Sequence, residues 1–413
     1  MHDLVLRTRF PEEAIAATPF ALFEGGLHTA ESRRPALLVR VPPADLRAEF
    51  LLDPDIVFLN HGSFGACPRA VFERYQEWQR DLERRPVEFL ARRLDGLLAD
   101  SRAALAAYVS ADPDDLVFVP NVTAGINVAA WALDLQPGDE VLSTDLEYGA
   151  LDLAWDHVCR YTRARYVRMP VTLPLRNHAE SLEEIWAGVT ERTRALFLSH
   201  VTSETAVQLP VEELCARARE AAIATIVDGA HVPAHIPLDL AAIGADYYSG
   251  NCHKWLCAPK GSAFLHVRRE LQPNVHPLVI GWGYKDDATF LSRHEGQGTR
   301  DPSAFLTVPD AIEWQRQHDW EAVRERCRAL TAQTPARLGL EPTGPAGLQM
   351  VSMRLPEDAP ANLQQRLYDE FRIEIPVFDR SGGRLIRASF QGYNDDSDLD
   401  ALADALDAIR AEA

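Results

Sequence analysis

The chain is expected to fold as an α/β protein, with a mainly parallel central sheet in a large domain and a small α+β domain at the C-terminus. Two observations predict this. Between about residues 112 and 267, short apolar runs alternate with helix-length stretches, the pattern of strands covered on both faces by crossover helices. After Pro309 the alternation gives way to a charged helix and then to strands and helices in a different order. With 413 residues, 46% of them hydrophobic and 25% charged, the chain can build a large core, which excludes a disordered or fibrous class.

Residues 1–55 are irregular, broken by Pro11, Pro19, Gly25-Gly26, Pro35 and Pro42-Pro43. Residues 1–67 are therefore read as an N-terminal arm that wraps another lobe or a second subunit. The large domain is assigned to 68–308. Pro68 opens a helix that runs to about Arg84, before Pro86 interrupts it, and a second helix is expected over 87–109. Strands are expected at 117–119, 140–143, 165–168, 195–199, 224–227 and 263–267. Helices follow at 121–131, 148–161, 180–189 and 211–222. The small domain, 309–413, is expected to hold a helix over 310–330, a strand at 349–355 and a helix at 360–372. Short runs at 373–377 and 384–389 precede a final helix over 395–411.

The net charge of −19 argues against holding nucleic acid or an anionic membrane surface by bulk charge. No stretch approaches 18 uninterrupted apolar residues, and Met1-His2-Asp3-Leu4 lacks the regions of a signal peptide, so a cytoplasmic protein is expected. The six cysteines form no CxxC pair and read as reduced thiols. Cys252, His253, Cys257 and His266 match no zinc spacing, and no metal is expected. A nucleotide-binding protein would want GxGxxG or GxxxxGK, and neither occurs.

Chemistry concentrates at two places. Asp228 ends the apolar run Ala224-Thr225-Ile226-Val227, and Lys254 sits in the small-residue loop Ser249-Gly250-Asn251-Cys252-His253-Lys254-Trp255-Leu256. A lysine amine condenses with an aldehyde, and a carboxylate keeps a pyridine nitrogen protonated; pyridoxal 5'-phosphate needs both. A helix-capping aspartate and a surface lysine would look the same. Three further segments follow strands. Asn121-Val122-Thr123-Ala124-Gly125 opens a helix whose free N–H groups suit a phosphate, or it is a plain N-cap. Tyr148, after Asp145-Leu146-Glu147, is placed to lie against an aromatic ring or to anchor its own helix. Ser203, in Ser199-His200-Val201-Thr202-Ser203, is placed to bond a phenolate oxygen or to belong to a polar turn.

Taken together, the sequence resembles the class V aminotransferase-fold enzymes that use pyridoxal phosphate, and within them the isopenicillin N epimerase-like group. The resemblance runs from about Phe58 to the C-terminus. It rests on Asn60-His61-Gly62-Ser63-Phe64-Gly65, Asn121-Val122-Thr123-Ala124, Ser199-His200-Val201-Thr202-Ser203, Val227-Asp228-Gly229-Ala230-His231 and His253-Lys254-Trp255-Leu256-Cys257-Ala258-Pro259-Lys260-Gly261. Gly298-Thr299-Arg300-Asp301 and Arg387-Ala388-Ser389-Phe390-Gln391 complete it.

The resemblance implies fold type I, as in aspartate aminotransferase, and these roles. Lys254 carries the cofactor and shuttles the proton. Asp228 pairs with the pyridine nitrogen, His231 supports the ring, and Tyr148 stacks on it. Thr123 and Ala124 hold the phosphate, helped by Asn251 and His253; Asn251 departs from the Ser or Thr common at its position. Ser203 bonds the ring hydroxyl. Thr299 reaches the phosphate of a partner subunit, which implies a homodimer with shared active sites. Arg387 clamps the substrate carboxylate, with Asn60 and His61 in the substrate-side motif. The stretch 374–386 contains no cysteine, so a persulfide-forming desulfurase is not expected.

The expected function is action at Cα or Cβ of an α-amino acid, isopenicillin N epimerase-like, with epimerase or aminotransferase-type chemistry. The alternative is a β-eliminating C–S lyase, or an oxidative or decarboxylating variant, on an S-substituted cysteine conjugate of secondary metabolism. A non-enzymatic effector module would need a basic DNA-binding region, which the sequence lacks.

Overall fold

The computed structural model describes residues 43–412. The greater part of the expected arm, 1–42, lies outside them. A seven-stranded sheet forms the centre. Its strands lie in the order Leu116–Val119, Ala263–Val267, Tyr247–Asn251, Ala224–Asp228, Thr193–Ser199, Glu140–Thr144 and Arg165–Met169. The five strands from Tyr247–Asn251 outward are parallel neighbours; Ala263–Val267 runs against both of its own. Two reversals restore the direction of Leu116–Val119. The carboxyl ends of six strands therefore share one edge, where open α/β sheets bind ligands.

Successive residues of these strands enter two different cores, as the period of two demands. Val117, Val119, Val141, Ala195, Phe197 and Ile226 pack with Ile126, Trp155 and Val158 on one face. Leu116, Phe118, Leu142, Leu196, Leu198 and Val227 face the other, with Leu214, Trp255 and Phe305. Each fully buried side chain of this kind contributes about 1.5–3 kcal/mol. Burial on both faces explains the near-continuous apolar runs.

Three expectations are corrected. Tyr247–Asn251 is a strand, not part of a loop; it lies between Ala224–Asp228 and Ala263–Val267, which its hydroxyl- and glycine-rich sequence conceals. The helix over 310–330 is two helices, Val308–Gln317 and Trp320–Leu338, separated where Asp319 takes φ of 46°. The helix over 87–109 contains a π turn at Phe89–Arg93 before Leu94–Tyr108.

A four-stranded antiparallel sheet, in the order Val377–Arg380, Gly383–Ser389, Met350–Arg354 and Glu341–Pro342, follows in the C-terminal third. Val57–Phe58 pairs in parallel with Ile373–Glu374, and Asn60 bridges to Ser389. Residues on the N-terminal side of the large sheet are thus built into strands from the end of the chain.

Candidate active site

At the shared carboxyl edge lies a cavity of about 320 Å³. Most strand ends deliver side chains to it. Asp228 is the last residue of its strand, Asn251 the last of the next, and Lys254 follows three residues later. Thr123 sits in the first turn of the helix Val122–Ala132, and Tyr148 caps the helix Gly149–Thr162. All five line the cavity, with Ser203, His231 and His253. The structure therefore brings together eight of the expected residues.

Lys254 Nζ lies 3.0 Å from His231 Nε2. Burial pushes the amine down to about 7, against the opposing pull of Asp228. Asp228 is buried, and its carboxyl is pushed up to about 6; the Ala230 N–H donated to Oδ1 at 2.7 Å and Lys254 oppose that rise. His231 is held well below the usual imidazole range, first by burial and then by Lys254 and Arg387. His253 Nδ1 bonds the Ser262 carbonyl at 2.9 Å.

The start of the helix Val122–Ala132 differs in detail from expectation. Ala124 does not line the cavity, because its N–H is taken by the N-cap Asn121 Oδ1 at 2.9 Å. Asn251 Oδ1 accepts the Val122 N–H at 3.1 Å, fixing the start of the helix. Thr123 lies between them on the wall.

Arg387 does not line the cavity and is 1% exposed. Among the described residues no carboxylate lies within ion-pair distance of it. Its guanidinium donates to the Ser203 carbonyl (2.7 Å) and to Ser63 Oγ (2.9 Å), with longer bonds to Ser203 Oγ and Asn60 Oδ1. Its Nε–H is buried without a partner. Burial lowers it to about 10. Ser63 and Ser203 line the cavity and stand between it and the guanidinium. Ser63, which the sequence did not single out, was detectable only as part of the motif around Gly62.

His61 is not a cavity residue. It is fully buried; Nδ1 lies 3.0 Å from the Tyr393 hydroxyl and Nε2 3.1 Å from the Lys254 carbonyl. Burial, then Lys260, holds it down at about 3. It props the backbone that carries Lys254. Asn60 is likewise buried, with Nδ2 on Glu374 Oε1 at 3.1 Å. Thr299 is exposed and lines a separate cavity with Arg102, Trp282 and Glu295.

Two further residues escaped sequence reasoning. Glu147 is buried with its carboxyl bonded by Thr144 Oγ1 (2.7 Å) and by the N–H and Oγ of Ser199 (2.8 and 2.6 Å). Burial pushes it up to about 8. It fixes Ser199, the parallel-strand neighbour of Asp228. The other is Trp255, whose indole N–H reaches His231 Nδ1 at 3.3 Å. Its position directly after Lys254 was the available signal.

A family profile described as Aminotransferase class-V matches residues 59–350. The chain is 40% identical to an isopenicillin N epimerase of Amycolatopsis lactamdurans, over 88% of this chain and 97% of the relative. It is 28% identical to a probable chloroplastic L-cysteine desulfhydrase of Arabidopsis thaliana, over 89% of this chain and 86% of the relative. A solved C-DES mutant with glycine covalently linked to its PLP cofactor superposes with a TM-score of 0.78 at 22% identity, covering 87% of this chain and 98% of that one. At that identity the likeness speaks for the fold.

Proposed function

Because this chain belongs to the class V aminotransferases, enzymes that work through pyridoxal phosphate, we propose that it removes the Cα proton of an α-amino acid and returns one on the opposite face. The observation that carries this is the Lys254 amine. It lies 3.0 Å from a neutral imidazole and, among the described residues, makes no ion pair, and burial brings it down to about 7. Such a group is a base at neutral pH.

The residues present fit the cofactor. The cavity of about 320 Å³ ends at Thr123 and Asn251 on one side and Ser203 on another. Asp228 has only Oδ1 engaged by backbone, which leaves Oδ2 for a pyridinium. When bound, pyridoxal phosphate supplies an electron sink that lowers the cost of Cα–H loss. Asp228 would keep the ring nitrogen protonated, Tyr148 would lie against the ring, and Lys254 would take the proton. His61 is excluded as the acid of the opposite face because its ring is walled off behind Lys254. That role goes to Tyr148, which lines the cavity, or to water.

Arg387 is proposed to meet the α-carboxylate. A buried guanidinium without a carboxylate costs several kcal/mol, and a substrate carboxylate would supply the missing charge. A homodimer is proposed on the exposed run Leu278, Val279, Ile280, Trp282 and Tyr284. It lies near in sequence to Thr299, which in this arrangement reaches the partner's site.

The decisive test incubates the enzyme with L-amino acids in D2O. Deuterium at Cα together with the opposite enantiomer supports epimerisation. Release of pyruvate and ammonia from cysteine or its conjugates would replace it with β-elimination, the reading favoured by the desulfhydrase likeness. A keto acid without exchange of configuration would indicate transamination.

A further inference from the structure

We infer that Trp255 is a positioning residue that fixes the tautomer of His231, so that His231 always turns an N–H, never a lone pair, toward Lys254. An indole N–H is only a donor. It lies 3.3 Å from His231 Nδ1, so that nitrogen must accept, and the single proton of the neutral ring sits on Nε2. Nε2 is the atom 3.0 Å from Lys254 Nζ. Protonating Nδ1 as well would set two N–H groups head to head.

The indole cannot turn away. Trp255 is fully buried, and the His235 ring stacks on it with centroids 4.1 Å apart and planes at 18°. The His61 ring packs near it at 5.1 Å. His235 is itself pinned, with Nδ1 on the His231 carbonyl at 2.8 Å and Nε2 accepting the Gln349 N–H at 2.7 Å. Lys254, Arg387, His235 and His61 all oppose a second proton on His231, while Asp228, which lines the same cavity, is the opposing carboxylate.

The consequence falls on Lys254. An Nε2–H can donate to a neutral amine but not to an ammonium, which has no lone pair. Trp255 therefore adds to burial in favouring the uncharged form of Lys254, from two side chains away.

The inference rests on the reading of Lys254 as the group that carries the cofactor. Its test involves no turnover, so either can fail while the other stands. Full-length protein labelled with ¹⁵N-histidine, with and without pyridoxal phosphate, is examined by long-range ¹H–¹⁵N correlation, with the His231 signal identified by its loss in His231→Gln. The expected result is an unprotonated Nδ1 and a protonated Nε2 from about pH 6 to about pH 9. The opposite tautomer, or an imidazolium in that range, overturns the inference. As a second readout, the pH dependence of Lys254 arylation is followed in cofactor-stripped protein. The wild-type midpoint near about 7 should rise by about one unit or more in Trp255→Phe. An unmoved midpoint in a variant that keeps the wild-type Tm makes Trp255 a packing residue only. Should that variant misfold, the wild-type correlation spectrum decides alone.

Discussion

At the scale of single residues, the site depends on two basic groups whose burial disfavours their charge. Lys254 is shifted from 10.5 down to about 7 by burial. Only the neutral amine attacks an aldehyde, and its fraction grows as pH rises through that value. The rate at which cofactor-free protein takes up pyridoxal phosphate should therefore climb between about pH 6 and about pH 8 and then level off. Absorbance during reconstitution would show it; a rate that keeps climbing toward pH 10 would place the amine near its ordinary value. Arg387 is the second group, with four neutral acceptors and no carboxylate within ion-pair range among the described residues. Arg387→Lys should lower kcat/KM for amino acids by about 10²-fold while leaving cofactor content and Tm nearly unchanged, since a planar fork becomes a point charge. Amines without a carboxylate should react equally well with both proteins. Equal impairment of amines would make Arg387 structural.

At the scale of elements, what could be read from sequence follows from how each strand is buried. Runs such as Ala-Leu-Phe-Leu and Thr-Ile-Val declare themselves because both faces are covered. Tyr247–Asn251 does not, because Ser249 and Gly250 pack where larger side chains would collide. An added Cβ on Gly250 would come within 2.7 Å of the Phe264 ring, and Ser249 Oγ bonds the Phe264 carbonyl at 2.7 Å. Asp228, Lys254, Thr123 and Tyr148 were legible since each closes or follows a strand. The supports behind them were not. Glu147, Ser63 and Trp255 act through partners brought near only by the fold, from 52 residues away for Ser199 and 324 for Arg387. Gly65 shows the same limit. With φ of 70° it lets His61–Phe64 lie against the Lys254 backbone, where a Cβ would meet the His253 carbonyl at 2.1 Å.

At the scale of the whole molecule, the net charge of −19 disfavours casual association, yet Trp282 is 85% exposed within an apolar run. A second copy of the chain is the proposed cover. Trp282→Asp should shift the protein toward monomer in sedimentation velocity and reduce cofactor retention, because Thr299 would no longer meet a partner's site. A variant that remains dimeric would put the interface elsewhere.

The pairing of Val57–Phe58 with Ile373–Glu374 has a consequence in time. The cofactor end of the cavity comes from strands between residues 116 and 267, which leave the ribosome as one continuous run. The surroundings of Arg387 need Asn60, whose side-chain partner Glu374 is synthesised 314 residues later. Chains grow from the N-terminus at about 5–20 residues per second, so Asn60 waits on the order of tens of seconds for its counterpart. The strands that carry Asp228 and Asn251 are thus all synthesised well before the chain reaches Glu374 and Arg387, around which Asn60 is finally fixed.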